Sequence, residues 1–360
     1  MARMHKRPTI KQVAFEAQVS TQTVSRVIND RPDVSPDTRE RVLKIIERIG
    51  YQPSALARSL ILQRSFTLGV VTAGLEYNGP ARTLSGITTA AEEYGYSLLL
   101  KELPSFASNN VLPLIQEFLS HHADGIIWAV AEVGANRDWL DEMPGELEIP
   151  IVFLTMPPRQ NVPVVSMDNY LGGRMAMAHL VEQGYRQIGH ISGPLDWWEA
   201  QQRKAAWADG LQAAGIEVDD AHWAEGNWSS SSGARAIEKL HRQYPQMDAV
   251  FAGNDQMALA VLQFASRHHL RVPQDLGVVG FDNLPEAPYF MPPLTTVQSE
   301  QYTVGRLAVE EMVNILRSGR QDQEASKPVS IMLPPTLVVR QSSLREVTGS
   351  EGGGFAANDM

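Results

Sequence analysis

Residues 19–29 read Val-Ser-Thr-Gln-Thr-Val-Ser-Arg-Val-Ile-Asn, and this stretch decides the fold of the amino-terminal segment. Ser20 is a typical N-cap residue, and Val24, Val27 and Ile28 fall on one face of the helix that it would open. A solvated face is normally rich in Lys and Glu, which are good helix formers. Here the outer face carries compact hydrogen-bonding side chains, namely Thr21, Gln22, Ser25, Arg26 and Asn29.

A helix is predicted on each side of this stretch. Thr9 and Gln12 form a T-x-x-Q capping box that opens the first one. Ser35-Pro36 is an N-cap followed by proline at the first helical position, and Gly50 ends the other helix. The apolar faces comprise Val13, Ala14 and Ala17 in one helix and Val42, Ile45, Ile46 and Ile49 in the other. The turn between the first two helices, residues 18–20, has helix-turn-helix spacing, about three residues.

The outer face of the middle helix suits the major groove of DNA. Gln and Asn pair bidentately with adenine, and Arg pairs bidentately with guanine. Thr23 and Ser25 suit phosphate oxygens. A plain three-helix bundle is the alternative interpretation.

Charge is divided unevenly along the chain of 360 residues, whose net charge is −10. Residues 1–64 contain 12 basic and 6 acidic side chains, a balance of +6. The remainder contains 19 basic and 35 acidic ones, a balance of −16. A small basic segment on a large acidic body suggests a nucleic-acid module, although a solvated basic tail would give the same balance.

Three segments, residues 9–14, 19–29 and 34–42, closely resemble the headpiece of the lactose/galactose repressor family. The resemblance implies that Thr21, Gln22 and Arg26 touch base edges. The full set of expected DNA-binding residues is Thr9, Ser20, Thr21, Gln22, Thr23, Ser25, Arg26, Asn29, Tyr51, Ala57, Arg58 and Leu60. Gln18 departs from the glycine usual in that family, and a left-handed backbone there would cost about 1 kcal/mol.

A short linker, residues 53–65, follows the predicted headpiece of residues 1–52. Ser54–Leu60 is helix-forming but spans only about two turns, which is marginal for an isolated helix in water. The resemblance implies a hinge helix that forms on DNA, pairs with its dimer mate and wedges Leu60 into the minor groove. A flexible linker is the alternative.

From Phe66 onward, short β-rich runs alternate with helical patterns. The runs are 67–71, 97–100, 125–128, 151–154, 188–191, 249–252 and 276–280, and the helical patterns include 81–95, 169–183, 200–214 and 255–269. This alternation predicts an α/β fold with parallel sheets and helices on both faces.

Several function classes are disfavoured by missing residues. The absence of cysteine excludes disulfides, thiolate nucleophiles and cysteine-based metal sites. Neither G-x-G-x-x-G after the first strand, nor a P-loop, nor a G-x-S-x-G elbow is present. Neighbouring histidines on a helix, as in His121-His122 and His268-His269, point about 100° apart and rarely chelate one ion. We therefore expect neither cofactor, nor metal, nor enzymatic activity.

With no signal peptide or long apolar stretch, a cytoplasmic protein is expected.

The resemblance continues to about Arg340, through residues 190–194, 252–258, 279–283 and 293–297. It implies a periplasmic-binding-protein-like core over residues 66–340, in which the ligand lies between two lobes. The implied crossings between the lobes are placed near Pro163, near Pro292 and at residues 321–327. Residues 341–360 are predicted to be a disordered tail, glycine-rich and without the apolar heptads that join dimers, so a homodimer is expected.

Polar residues at strand and loop ends form the candidate effector site. Arg203, Asn254 and Asp282 suit adjacent hydroxyls, and Trp228 suits the apolar face of a sugar ring. Core packing for Trp228 and helix capping for Asp282 are the structural alternatives. Tyr77, Thr83 and Thr155 are expected to face the cleft from the opposite lobe. Trp197-Trp198 is either a ligand lid or an exposed patch.

These features predict a homodimeric transcriptional regulator, a repressor, that binds a pseudo-palindromic operator. A small molecule between the lobes, a sugar or sugar derivative, would control its operator affinity. A soluble sugar-binding protein without a DNA role is the main alternative, and an enzyme acting in the cleft is a third.

Overall fold

The computed structural model describes residues 8–28, 31–51, 64–108, 111–136, 139, 149–318 and 330–345. The chain divides into two compact units between Thr67 and Leu68. The predicted hinge helix, Asn29 and the glycine-rich segment 348–355 lie outside the described residues.

The amino-terminal unit contains three helices: α1 (Ile10–Ala17), α2 (Thr21–Ile28) and α3 (Pro36–Ile49). They enclose a small core of Val13, Ala14, Ala17, Val24, Val27, Val42 and Ile45. The side chains of Thr9, Ser20 and Ser35 each accept a backbone N–H three residues later, as the sequence predicts. The Gln12 side chain, whose oxygen would accept the Thr9 N–H in a complete capping box, instead donates its amide N–H to Glu16 at 3.4 Å.

Gln18 occupies the turn between α1 and α2 in the left-handed conformation, with φ 53° and ψ 44°. A left-handed residue here lets the Val19 N–H donate to the carbonyl of Ala14 and end α1. The left-handed conformation whose cost was considered for this position is therefore the one that Gln18 adopts.

The larger unit contains two parallel-stranded lobes. Its strands are β1 (Thr67–Ala73), β2 (Ser97–Leu103), β3 (Gly125–Ala129), β4 (Ile151–Leu154), β5 (Val164–Met167), β6 (Ile188–Ser192), β7 (Trp223–Glu225), β8 (Ala249–Ala252), β9 (Gly277–Asp282), β10 (Thr295–Gln298), β11 (Ser330–Leu333) and β12 (Thr336–Val338). Its helices are α4 (Asn78–Glu93), α5 (Leu112–Ser120), α6 (Asn169–Glu182), α7 (Trp198–Ala213), α8 (Ser230–Gln243), α9 (Asp255–Arg267) and α10 (Gln301–Ser318).

Within the described residues, each lobe is built on a six-stranded sheet. The strand order is β11-β5-β4-β3-β1-β2 in the first lobe and β12-β10-β9-β8-β6-β7 in the second. Strand β12 pairs antiparallel to β10, and the other recorded pairings in both sheets are parallel. The predicted α/β class with two lobes is confirmed.

The three crossings between the lobes lie later in the chain than predicted. They fall at Asp168, at residues 299–300 and at residues 334–335. The predicted positions, near Pro163, near Pro292 and at residues 321–327, are therefore wrong. In each case one more short strand follows the predicted point before the chain leaves its lobe. Pro163 and Pro292 precede strands β5 and β10, where the missing N–H of proline costs no ladder hydrogen bond.

The ordered core extends past Arg340, the predicted limit. Ser342 and Ser343 are fully buried. The Ser342 hydroxyl donates to the carbonyl of Val278 and accepts the N–H of Thr295, so residues 341–345 belong to the second lobe. Among the described helices, none has the length and apolar character needed to cross a membrane.

Candidate nucleic-acid interface and ligand cavity

Helix α2 presents the predicted reading face to solvent. Thr21, Gln22 and Arg26 are exposed, while Val24 and Val27 are buried beneath them. Ser25 is half-buried. This places three long or branched hydrogen-bonding side chains on one open helical face, as major-groove reading requires.

Some predicted DNA contacts have structural partners in the free headpiece. The guanidinium of Arg26 lies 3.4 Å from the carboxylate of Asp33, and both side chains are about half exposed. The Ser20 and Thr23 hydroxyls lie 2.9 Å apart at the start of α2. Tyr51 packs against the headpiece core, where burial raises its pKa. Ala57, Arg58 and Leu60 lie outside the described residues.

A cavity of about 770 Å³, including space open to solvent, lies between the two lobes of the larger unit. All seven predicted effector residues line it: Tyr77, Thr83, Thr155, Arg203, Trp228, Asn254 and Asp282. Thr155, Asn254 and Asp282 stand at the carboxyl ends of β4, β8 and β9. Because parallel strands end at the same edge, this topology gathers their polar termini in one crevice.

Arg203 is buried in the second lobe and held from several sides. Its Nε donates to Asn169 Oδ1 at 2.9 Å, and its Nη1 donates to the carbonyl of Gly253. The guanidinium carbon lies 3.6 Å from the centroid of the Phe281 ring. These contacts fix the guanidinium with its Nη2 3.9 Å from the Asp282 carboxylate.

Asp282 ends β9 in a strained conformation, with φ 104°. Burial raises its pKa to about 6, while the nearby Arg203 favours the ionised form. The alternative of a helix cap does not fit, because the helical turn that follows begins only at Ala287, five residues later. The carboxylate is therefore positioned toward the cavity instead of a helix end.

Asn254 and Trp228 combine a structural role with a place in the cavity wall. The Asn254 side chain accepts the N–H of Met257 to cap α9 and donates to the carbonyl of Trp228. Trp228 has φ 70° and is 8% exposed, and its ring covers Gly193, where any Cβ would overlap it. Core packing and ligand contact are thus compatible for this tryptophan.

The first lobe contributes the opposite wall. The Thr83 hydroxyl donates to Gln301 Oε1 at 3.0 Å, which joins α4 to α10 beside the cavity. Thr155 has φ 56°, an unfavourable value for a β-branched residue. Left-handed backbone at Thr155, Trp228 and Asp282 around one cavity is typical of ligand sites, where surrounding structure holds strained residues in place.

Four buried polar atoms on the cavity wall have no hydrogen-bond partner among the described residues. They are Asn78 Nδ2, Glu199 Oε2, Trp228 Nε1 and Gln256 Oε1. Asn78 belongs to the first lobe and the other three to the second. Sequence reasoning missed Asn78, Glu199 and Gln256, although Glu199 stands one helical turn before Arg203.

Aromatic rings form a continuous chain across the cleft. Tyr77 and Phe106 of the first lobe are followed by Trp197 and Trp228 of the second, with successive ring centroids 6.1, 4.5 and 5.9 Å apart. Trp197 lines the cavity, whereas Trp198 starts α7 and is half-buried. The question left open by the sequence is thus answered for Trp197, which is a cavity residue.

Two family descriptions match the chain. Residues 9–54 match "Bacterial regulatory proteins, lacI family", and residues 177–343 match "Periplasmic binding protein-like domain". The matched ranges cover α1 to α3 and most of the second lobe.

Related proteins match over nearly the whole chain. The HTH-type transcriptional regulator CelR of Thermobifida fusca is 34% identical over 94% of this chain and 98% of its own. Catabolite control protein A of Priestia megaterium is 32% identical over 93% and 99%.

Solved structures with similar folds include a CelR–cellobiose complex, with TM-score 0.68 and 32% identity over 93% of this chain and all of that one. A Lac repressor dimer bound to operator and the anti-inducer ONPF has TM-score 0.80 and 27% identity, covering 94% and 100%. With a helix-turn-helix headpiece, a two-lobed core and full-length relatives above 30% identity, the chain belongs to the LacI family of bacterial regulatory proteins.

Proposed function

We propose that this protein is a ligand-responsive transcriptional repressor that binds a pseudo-palindromic operator as a homodimer. The exposed face of α2 supports DNA reading, with Thr21, Gln22 and Arg26 at base edges. The other proposed DNA contacts are Thr9, Ser20, Thr23, Ser25, Asn29, Tyr51, Ala57, Arg58 and Leu60. A cytoplasmic location follows from this proposal, since the operator lies there.

The ligand is a sugar or sugar derivative that binds between the lobes. The observation that carries this assignment is the set of four partnerless polar atoms, two donors and two acceptors, on the wall of one cavity. Burying such groups unpaired costs about 1–3 kcal/mol each, and hydroxyl groups satisfy donors and acceptors alike. The rings of Trp197 and Trp228 suit the apolar face of a pyranose.

Ligand binding would act on DNA affinity through the arrangement of the lobes. Tyr77, Thr83, Thr155 and Asn78 belong to one lobe, and Arg203 and its neighbours belong to the other. A ligand that contacts both walls binds one lobe arrangement better than another and shifts the population toward it. The operator affinity then changes by the same coupling free energy.

A catalytic role is not proposed. Among the described residues, His179 and Ser343 form a hydrogen bond of 2.7 Å, an arrangement that resembles a base and a nucleophile. Both side chains are buried, neither lines the cavity, and the Ser343 hydroxyl donates to Thr295. The pair therefore fits a role in fastening residues 341–345 to the second lobe.

Thermal unfolding in the presence of individual sugars tests the ligand assignment. A ligand at 100 times its dissociation constant adds about 2.7 kcal/mol of stability. We expect a neutral sugar to raise the melting temperature of the wild type, and the Asp282→Ala variant to lose the increase. A full increase in that variant would contradict the assignment of the cavity.

Operator titration at several salt concentrations separates the repressor from a sugar-binding protein without a DNA role. Phosphate contacts by the basic headpiece predict that log K falls steeply as log[salt] rises. Selection from random duplexes should also yield a two-fold symmetric site. Weak binding that depends on neither sequence nor salt would favour the alternative.

A further inference from the structure

Glu199 is the one ionisable group of the cavity wall that no sequence feature singled out. It lies in the first turn of α7, one turn before Arg203, and only 9% of its surface is exposed. Its Oε2 has no hydrogen-bond partner within the described part of the chain. A buried carboxylate oxygen without a partner is costly, and because Glu199 lines the cavity, a ligand there can supply the missing hydrogen-bond donor.

Among the described residues of the cavity wall, two carboxylates share one cation. The wall contains two carboxylates, Glu199 and Asp282, and one guanidinium, Arg203. Two of the guanidinium nitrogens donate to Asn169 and Gly253, and the third lies nearest Asp282. Burial raises the pKa of Glu199 to about 7, its own backbone N–H and the charge of Arg203 oppose that rise, and Asp282 and Glu132 add to it. The wall is therefore negative whenever both carboxylates are ionised.

The groove beside the cavity is also lined by negatively charged side chains. It shares Tyr77 and Phe106 with the cavity and is lined by two exposed carboxylates, Glu76 and Glu102. None of the described residues that line this groove is cationic. A narrow passage lined by one sign of charge focuses the field and lowers the local concentration of ligands of that sign.

We propose that Glu199 is a specificity-determining residue that restricts the cavity to uncharged sugars. Its carboxylate accepts hydrogen bonds from sugar hydroxyls, while Trp228 Nε1 and Asn78 Nδ2 donate to hydroxyl oxygens nearby. A carboxylate or phosphate on the ligand would supply an acceptor where a donor is needed and would place like charges together in a poorly solvated site. This inference rests on the sugar-binding function proposed above.

Calorimetric titration of the full-length protein at pH 8, above the raised pKa of Glu199, with matched pairs of sugars tests the proposal. The pairs are D-glucose and D-glucuronate, and D-galactose and D-galacturonate, which differ only in the oxidation of C6. For a neutral sugar that binds, we expect the acidic partner to bind the wild type at least 100-fold more weakly. Glu199→Gln should reduce this ratio at least tenfold, because the side chain keeps its shape and loses its charge.

Two further variants separate charge from shape. Glu199→Asp keeps the charge and should preserve the preference for the neutral partner even where its affinity falls. Glu217→Gln removes a carboxylate from an exposed position outside the cavity wall and should leave the ratio unchanged.

The proposal is overturned if an acidic sugar binds the wild type within threefold of its neutral partner. It is equally overturned if Glu199→Gln leaves the ratio unchanged, including the case in which the acidic sugar binds neither protein. If none of the neutral sugars binds the wild type, the proposed sugar-binding function fails and the inference fails with it. If neutral sugars bind and the ratio is insensitive to residue 199, only the inference fails.

Discussion

The proposed contact between Arg26 and a base would require this side chain to leave a partner that it has in the headpiece. It pairs with Asp33 in the free protein, with both side chains about half exposed. Exposed pairs of this kind contribute about 0–1 kcal/mol, so a bidentate contact to guanine can replace the pair at small cost. The free headpiece thus holds its reading residue close to the reading face without fixing it.

Replacing Arg26 by Ala should relax sequence preference at one base pair by about 1–3 kcal/mol and leave the preference at other positions unchanged. Asp33→Asn is the matched control, since it frees Arg26 and should preserve that preference. Binding measured on a set of single-base operator variants checks this. Equal weakening on every variant would instead assign Arg26 to the phosphate backbone.

Glu199 should impose a pH dependence on the stability of the ligand-free protein. Because its pKa is raised to about 7 in the folded state, the folded chain holds a proton that the unfolded chain releases above about pH 4.5. Its contribution to the free energy of unfolding is therefore largest in acid and falls as the pH rises toward 7.

Glu199→Gln, which does not ionise, should gain about 2 kcal/mol over the wild type between pH 5.5 and pH 8 in urea unfolding. Asp255 and Asp282 titrate in both proteins, so the difference isolates residue 199. The exposed substitution Glu217→Gln should show no such trend. A pH-independent difference between Glu199→Gln and wild type would contradict the raised pKa.

Among the elements, the contact between α4 and α10 depends on two glycines. A Cβ on Gly86 would overlap the carbonyl oxygen of Tyr302, and a Cβ on Gly305 would overlap the carbonyl oxygen of Thr83. The close approach also places Thr83 within hydrogen-bond distance of Gln301 on the cavity wall. Helix packing in the first lobe and the shape of the cavity are thus linked.

Gly86→Ala should force these helices apart and lower the free energy of unfolding by about 1–3 kcal/mol. It should also weaken ligand binding, since the Thr83–Gln301 bond lengthens. Gly79→Ala is the matched control for stability, because a Cβ at that helical position meets no protein atom and should be neutral or mildly stabilising. Since Gly79 itself lines the cavity, sugar titration compares Gly86→Ala with the wild type, and denaturant unfolding compares both variants. Equal stability of the two variants would mean that the helices adjust without cost.

How far sequence predicts these elements depends on their length and surroundings. Strands β4 and β8 follow their predicted bounds to the residue, since each is a buried apolar run between breakers. The short strands β5 and β10, which follow prolines, contain too few residues to show a clear hydrophobic pattern. Because they were not predicted, two of the crossings between the lobes were placed too early. Of the seven predicted cavity residues, Thr155, Asn254 and Asp282 stand at strand ends, which sequence reveals, whereas Thr83 and Arg203 lie within α4 and α7, so the strand-or-loop-end position expected for Arg203 is wrong. Whether the polar atoms of Asn78, Glu199 and Gln256 lack partners depends on their neighbours in three dimensions, and sequence does not reveal those neighbours.

At the scale of the whole molecule, the two compact units have opposite charge. Residues 1–64 carry +6 and the rest of the chain −16. An acidic body repels phosphate, which would confine DNA binding to the headpiece and agrees with the proposed preference of the cavity for uncharged sugars. Net charge therefore has to be read by unit, because the overall value of −10 describes neither part.

A sugar in the cavity is proposed to control the operator affinity of the headpiece. The most direct test measures the operator dissociation constant of the full-length protein with and without a saturating neutral sugar. We predict a change of about 5- to 150-fold in the wild type and a loss of that change in Asp282→Ala, with its sugar-free affinity preserved. If the operator dissociation constant stays within twofold while the sugar is bound, the sugar does not control operator affinity.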